Sequence, residues 1–481
     1  MQRLLSSIVA IAIGSTFVTA TKAGAEQPPS ILFFFADDQR HDTLGCAGHP
    51  IVKTPTIDRL AAEGVRFNNA FVTTSICWVS RSTILTGLTA RSFGTPTQPD
   101  AIKPEALGQL YPDLLRQAGY RTGFYGKWHA HTPKGFNPKD HYDEFEKISR
   151  NPYFKKQADG TERHTSELIG DGAVAFLESQ PKDQPFCLNL WFNAAHAEDR
   201  DKRPGIGHYP WPKAVDGMYD DLTMAPPRLD DPAIYAGQPD FLKNSLNRER
   251  YFWRWDTPEK YQTNMRAYYR MISGIDGVIA RVLETLRERG LADNTIVIYS
   301  ADNGYYMGDR GFAGKWSHYE QSLRVPMIVV DPRLPKEKRG RVDERMVLNL
   351  DLPSTFLDWA GTTIPSEYQG ESLAPLVAGE PTSDWRRDFF CEHVSLAPNI
   401  TWEGIRGPRY VYARYFDQWP VYEFLHDLEK DPDQLTNFAS NPAYASVLDT
   451  MRARCDEEVA VHGGPLAPID ERRSGVHRKK K

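Results

Sequence analysis

Cysteine is scarce in this chain of 481 residues. There are five, Cys46, Cys77, Cys187, Cys391 and Cys455. That is too few for a small scaffold stapled by disulfides, and the odd count leaves at least one thiol unpaired or converted to something else. A dominant charge of one sign is missing as well. Lys and Arg number 58 against 63 Asp and Glu, a formal net charge of -5, which carries no electrostatic footprint of nucleic-acid binding. No repeat of fixed period is present, and beyond Val18 no apolar run is long enough to span a bilayer. What is there is an ordinary globular composition, 40% hydrophobic, 25% charged and 12% aromatic. It excludes disordered, collagen-like and coiled-coil chains, and it suffices for a large core in one long α/β unit or in roughly two or three domains.

The first residues read as a targeting segment. Arg3 precedes the apolar run Leu4 to Val18, and Ala23-Gly24-Ala25 supplies a small-residue cleavage pattern. A signal peptide over 1–25 is expected, which makes the protein exported, periplasmic or secreted, with no transmembrane span after its removal. An uncleaved anchor is the alternative.

Apolar, β-rich runs then alternate with helical patterns. The expected fold class is α/β: a large mixed, mostly parallel sheet sandwiched by helices, with a smaller C-terminal antiparallel-sheet subdomain. Four strands end on polar residues. Ser30 to Ala36 leads into Asp37-Asp38 and Thr295 to Ala301 into Asp302-Asn303. Arg121 to Tyr125 leads into Gly126-Lys127-Trp128-His129, and Phe186 to Phe192 runs through Asn193 to His196. Ligands of open α/β sheets bind beyond the carboxyl ends of the strands, so these four ends predict one active-site rim. Helices are expected over Pro55 to Glu63, Pro112 to Ala118 and about Tyr261 to Arg289. A catalytic domain is expected over 26–385, with an insertion at 197–257 rich in Pro, Trp and Arg. A C-terminal subdomain over 386–471 and a basic, solvated tail over 472–481 complete the chain.

Asp37, Asp38, Asp302 and Asn303 form a hard oxygen set that suits Ca²⁺ or Mg²⁺ and disfavours zinc, although such pairs also cap helices. Between them, Cys77 is followed four residues later by Arg81 on a segment that turns helical. That spacing places a guanidinium one turn from the sulfur, fit for an anionic substrate, while the plainer reading is a buried Cys near a helix start. Lys127, Lys315, His129 and His196 taken singly would pass for surface lysines and structural histidines.

Together these segments resemble the sulfatase family, the formylglycine-dependent branch of the alkaline phosphatase superfamily. Cys77-Trp78-Val79-Ser80-Arg81 with Leu85-Thr86-Gly87 is similar to its Cys-x-Pro-Ser-Arg and Leu-Thr-Gly signature, with Val79 where the signature has Pro or Ala. Asp37-Asp38 and Asp302-Asn303-Gly304 resemble its two metal pairs, and Gly126-Lys127-Trp128-His129 its Gly-Lys-Trp-His element. Gly314-Lys315-Trp316, Arg324-Val325-Pro326 and Asp427 to Pro432 resemble later stretches in the same order.

The resemblance implies a sulfuric ester hydrolase that releases inorganic sulfate from a sulfated carbohydrate or aryl sulfate. It implies Ca²⁺ held by Asp37, Asp38, Asp302, Asn303 and residue 77, and a formylglycine derived from Cys77 by a formylglycine-generating maturation enzyme. By the same resemblance Arg81 and Lys127 steady the nucleophile's oxygens, His129 takes its proton, His196 protonates the leaving alcohol and Lys315 grips the sulfate. His41, His131 and His318 adjoin these motifs and are candidates for substrate contact, whereas Trp78 and Trp128 read as packing. Arg200, Arg250 and Trp253 in the insertion suit an anionic sugar or a plain surface loop. Two other functions stay open: a phosphoester or phosphonate hydrolase of the same superfamily, and a catalytically silent anion-binding homologue, which Val79 alone favours.

Overall fold

Ser-Ile-Leu-Phe-Phe-Phe-Ala at 30–36 and Thr-Ile-Val-Ile-Tyr-Ser-Ala at 295–301 are apolar on both faces, which suits strands covered from above and below. In the computed structural model, which describes residues 27–200, 208–396 and 400–477, both are buried at every position. The signal-peptide reading and the last four residues of the basic tail lie outside the described residues.

The first ten strands are β1 Ser30–Ala36, β2 Val65–Phe71, β3 Arg121–Gly126, β4 Glu144–Lys147, β5 Phe154–Lys156, β6 Glu162–His164, β7 Phe186–Trp191, β8 Thr295–Ala301, β9 Met327–Val330 and β10 Arg341–Leu348. Eight of them form one sheet in the order β10-β2-β9-β8-β1-β7-β3-β4, while β5 and β6 pair as a separate hairpin. Within the large sheet β9 alone runs against its neighbours. The mixed, mostly parallel sheet expected from the sequence is therefore present, and β8, β1, β7 and β3, the four strands with polar ends, lie side by side.

Helices cover both faces. Pro55–Glu63 begins with proline at its first position and stops at Gly64. Pro258–Glu288 is 31 residues long and capped by the Thr257 side chain, which accepts the Lys260 N–H. The insertion is not irregular throughout: it holds Pro232–Ala236, Asp240–Lys243 and Leu246–Arg254 as short helices.

The chain then builds a second sheet from β11 Phe389–His393, β12 Trp402–Arg406, β13 Tyr410–Tyr415 and β14 Tyr422–Asp427, antiparallel in sequence order. Helix Ala445–Val461 seats Leu448, Met451, Cys455 and Val459 against Phe390, Ile405, Tyr412 and Leu425. A solvated tail does not begin at Arg472. That residue lies in helix Ile469–His477, is 1% exposed, and donates to both carboxylate oxygens of Asp417 at 2.5 and 2.6 Å. A partly buried partner carboxylate holds the charge in the fold.

Candidate active site

The register of the four central strands aligns their carboxyl ends. Ala36 pairs with Ala301, Phe35 with Trp191, and Gly126 with Trp191. Asp37, Asp302, Lys127 and the segment reaching His196 thus leave the sheet along one edge, as the sequence predicts. Gly126 has a φ of 126°, and a Cβ there would lie 2.0 Å from the Trp191 carbonyl oxygen, so only glycine lets β3 turn toward Lys127. Asp38, His129 and Trp316 also hold left-handed backbones, with φ of 55°, 38° and 78°. Strain of about 1–3 kcal/mol at each such residue persists where surrounding structure enforces it, and such residues gather at functional sites.

Cys77 opens the helix Cys77–Thr86, every residue of which is buried except Trp78. Its thiol is 2.9 Å from the Lys315 ammonium. Arg81, one turn on and fully buried, donates through Nε and Nη2 to Asp302 Oδ2 at 3.0 and 2.8 Å and through Nη1 to the Lys127 carbonyl at 2.9 Å. Lys127 pairs with Asp37 and Lys315 with Asp38. Burial opposes ionisation of Asp37, yet Lys127, His196 and Arg81 hold its carboxyl well below the ordinary range. Burial pushes the Cys77 thiol up to about 11 against the pull of Lys127 and Lys315, which leaves it uncharged near neutrality.

Ligand atoms of Asp37, Asp38, Cys77 and His196 all lie within 4.8 Å of one another. Asp37 Oδ1, Asp38 Oδ2 and Asn303 Oδ1 are buried and have no hydrogen-bond partner among the described residues. Three unspent hard acceptors on Asp37, Asp38 and the Asn303 that donates to Asp38 fit a divalent cation such as Ca²⁺. The cluster differs from the all-oxygen set in two ways. His196 brings a nitrogen, and Asp302 stands beside the cluster with both oxygens engaged, its Oδ2 held by Arg81 and its Oδ1 accepting the Asp38 N–H at 3.1 Å.

His196 Nδ1 is 2.7 Å from the Ala197 carbonyl, which can only accept, so Nδ1 carries a proton, and Nε2 lies 3.5 Å from Asp38 Oδ2. Burial and Arg150 push this imidazole down to about 3. Burial and Lys127 likewise lower His129, whose Nδ1 has no partner among the described residues. Trp78 lies edge-on to His129 and stacks on His131 at 5.0 Å, so it borders the site and is not mere packing. Trp128 does pack, against Phe124, Phe136 and Phe145. His318 is buried between Tyr415 and His426, and His41 lines a separate cavity with Arg324 and Arg406.

Three residues outside the motifs fix the rim. Tyr268, on the long helix, donates to the Asp38 carbonyl at 2.9 Å. Tyr153 Oη contacts the Asn193 and His196 carbonyls at 2.7 and 2.5 Å. Asn247, in the insertion, donates to the Lys315 carbonyl at 2.7 Å. Nothing local in the sequence marks these contacts.

Residues 29–362, well over half of the chain, match the family model described as Sulfatase. The chain belongs to the sulfatase family. It is an enzyme, a sulfuric ester hydrolase, and residues 308–460 of this sulfatase also match the model described as N-sulphoglucosamine sulphohydrolase, C-terminal. It is 28% identical to an N-acetylglucosamine-6-O-sulfatase of Bacteroides thetaiotaomicron, over 87% of this chain and 84% of that one. It is 27% identical to an arylsulfatase of Clostridium perfringens, over 88% and 93%. Among solved structures, a protein bound to its substrate D-glucosamine-2-N,6-O-disulfate superposes with a TM-score of 0.76 at 23% identity, covering 91% of this chain and 98% of that one. The phosphonate monoester hydrolase of Agrobacterium radiobacter superposes at 0.75 with 22% identity over 90% and 96%, which shows a shared fold.

Proposed function

We propose that this sulfatase releases inorganic sulfate from sulfated carbohydrates outside the cytoplasm, with a nucleophile made from Cys77 by a maturation enzyme. The observation that carries the reading is the convergence of the Cys77 thiol, the Lys315 ammonium 2.9 Å away and the ligand atoms of Asp37, Asp38 and His196. The carbohydrate class rests on similarity to the N-acetylglucosamine-6-O-sulfatase. A neutral, buried thiol is a poor nucleophile toward a hard, anionic sulfur centre, which favours conversion of residue 77 to formylglycine.

Asp37, Asp38, Asp302 and Asn303 would hold the Ca²⁺, which when bound polarises sulfate oxygens, and the hydrated aldehyde at residue 77 supplies two hydroxyl oxygens. Lys315, already beside residue 77, binds a sulfate oxygen and offsets its charge as the ester cleaves. Arg81 and Lys127 hold the carboxylates and the nucleophile's oxygens in place. His196 gives a proton from Nε2 to the leaving alcohol oxygen, and the anionic substrate favours the protonated ring that burial alone disfavours. His129 takes the proton from the second hydroxyl through its open ring nitrogen.

The test pairs two measurements on protein matured with a formylglycine-generating enzyme: sulfate release from sulfated sugars, and the intact mass of the peptide bearing residue 77. Sulfate release that scales with the fraction carrying a carbonyl is expected. Full activity from an unmodified thiol would overturn the proposed nucleophile.

A further inference from the structure

Three residues beyond His196, one carboxylate carries three guanidinium groups. Asp199 pairs with Arg150 at 3.5 Å, with Arg250 at 2.9 Å and with Arg254. Arg250 and Arg254 stand four apart on helix Leu246–Arg254 and so share one face. That helix is tied to the catalytic rim, because its Asn247 holds the Lys315 carbonyl and the Arg250 guanidinium lies 4.9 Å from the centre of the Trp316 ring. Arg150 is tied to it as well: Tyr153, three residues on, contacts the His196 carbonyl. The cluster thus adjoins the sulfate-binding residues.

Among the described residues Asp199 alone forms ion pairs with the three arginines. Glu198, next to Asp199, accepts the Arg200 N–H at 3.3 Å and forms no ion pair with the three arginines among the described residues. Exposure of the three side chains is 19%, 12% and 0% for Arg150, Arg250 and Arg254. Nε of all three, and Nη1 of Arg254, are buried without a hydrogen-bond partner among the described residues. Unspent N–H donors on buried cations are costly unless something completes them. The planar fork of guanidinium matches the oxygens of a carboxylate or a sulfate.

We propose that Arg150, Arg250 and Arg254 form a second anion subsite beside the sulfate site, receiving another acidic group, a carboxylate or a further sulfate, of the same sugar. This rests on the sulfatase reading and names its substrate class, sugars with an acid group besides the sulfate that is cleaved. Asp199 holds the three guanidinium groups in register and leaves an excess of positive charge for the ligand.

The test compares kcat/KM of the matured wild type, Arg150→Gln and Arg250→Gln on p-nitrophenyl sulfate, monosulfated hexoses, disulfated hexoses and sulfated hexuronates. The wild type is expected to favour one of the doubly acidic classes over the neutral monosulfated sugar by about ten-fold or more, and each variant to lose most of that preference through KM. The class that is favoured identifies the second group as sulfate or carboxylate. A wild type without such a preference, or variants that lower all substrates by one common factor, overturns the proposal. Failure of the sulfatase reading differs, giving no inorganic sulfate from any substrate. In that event calorimetric titration decides: glucuronate binding that exceeds glucose binding and is weakened in Arg250→Gln supports the subsite, and equal binding of the two sugars refutes it.

Discussion

Lys315 places its ammonium 2.9 Å from Cys77 Sγ while it pairs with Asp38, so one cation joins the residue of the proposed nucleophile to a carboxylate of the proposed metal pair. Burial opposes that charge, but Asp38 and Cys77 raise the ammonium's affinity for its proton, and it stays charged across the physiological range. Two hundred and thirty-eight positions separate the two residues. The segment bearing Lys315 is held from the insertion, by Asn247 on its carbonyl. A short helix of the insertion thus buttresses the backbone at Lys315.

Lys315→Met keeps the length of the side chain and removes the charge. The expected loss in kcat/KM is about 10²–10³-fold, the scale seen when one preorganised oxyanion partner is removed. Melting curves recorded alongside separate this from misfolding, since Asp38 loses a buried partner at a cost of about 3–5 kcal/mol. Wild-type kcat/KM in a folded variant would show that the ammonium does not act on the sulfate.

Asp302→Ala removes a proposed hard ligand and the carboxylate oxygen that accepts two bonds from fully buried Arg81. Elemental analysis is expected to find calcium in the wild type and little in the variant, with activity lost in parallel. Chelation of the wild type should abolish activity and added Ca²⁺ restore it, while the variant stays silent. Activity that survives both treatments removes the metal from the mechanism.

His196→Ala and His129→Ala are expected to fail differently. Without its acid the enzyme should lose about 10²-fold or more on sugar sulfates, whose alkoxides leave poorly, and far less on p-nitrophenyl sulfate, whose phenolate needs little protonation. Loss of His129 should instead slow turnover after a first burst of alcohol release. Equal losses on both substrates in His196→Ala would count against its role as acid.

The sheet was legible because the strands at 30–36, 186–191 and 295–301 are apolar nearly throughout and, like the more mixed run at 121–126, end abruptly on Asp, Asn or Gly-Lys. Less was visible wherever a contact crosses the chain. Four apolar residues at Met327–Val330 carry no sign that β9 runs against its neighbours. The insertion's helices have four to nine residues, too few turns for a period to emerge. Tyr268 meets a carbonyl 230 positions away, at Asp38, which no local pattern signals. Arg472 looked like the start of a basic tail because its partner Asp417 lies 55 positions away.

The C-terminal sheet is predicted to make the protein acid-labile. With both rings neutral the carbonyl of Thr436 fixes a directed chain, in which His426 Nδ1 donates to that carbonyl at 2.8 Å, His318 Nε2 to His426 Nε2 at 3.0 Å and Tyr415 to His318 Nδ1 at 2.9 Å. Burial lowers His318 well below its usual range and His426 to about 3. Because the unfolded chain takes up protons near pH 6.5 and the folded one does not, stability should be full above about pH 6.5 and fall as pH drops toward 3, by up to about 1.4 kcal/mol per unit for each ring. Urea midpoints at pH 5 and pH 7 test this, and His426→Gln should flatten the difference. An unchanged pH dependence in that variant would assign the acid lability elsewhere.

The proposed chemistry depends on conversion of residue 77. Val79 stands third in the helix that Cys77 opens, and its N–H reaches only the Ile76 carbonyl, at 3.1 Å. Proline in the first turn of a helix gives up a donor that has little to do, so Val79→Pro should fold normally and bring the segment to the family signature. The side chain at 79 is fully buried in the finished fold, which means that a modifying enzyme must read it before folding completes, and its identity then governs conversion and not packing. Mass spectrometry of the peptide containing residue 77 is expected to show a carbonyl in place of the thiol in protein from the native host. In a heterologous host that supplies its own maturation enzyme, the converted fraction should be larger in Val79→Pro than in the wild type, with sulfate release per mole of protein rising in the same proportion. A thiol retained in native, active protein would mean that the aldehyde is not the nucleophile. A thiol retained in native, inactive protein would instead leave an anion-binding protein on a sulfatase scaffold, with Lys315 and the three arginines around Asp199 still in place to hold its ligand.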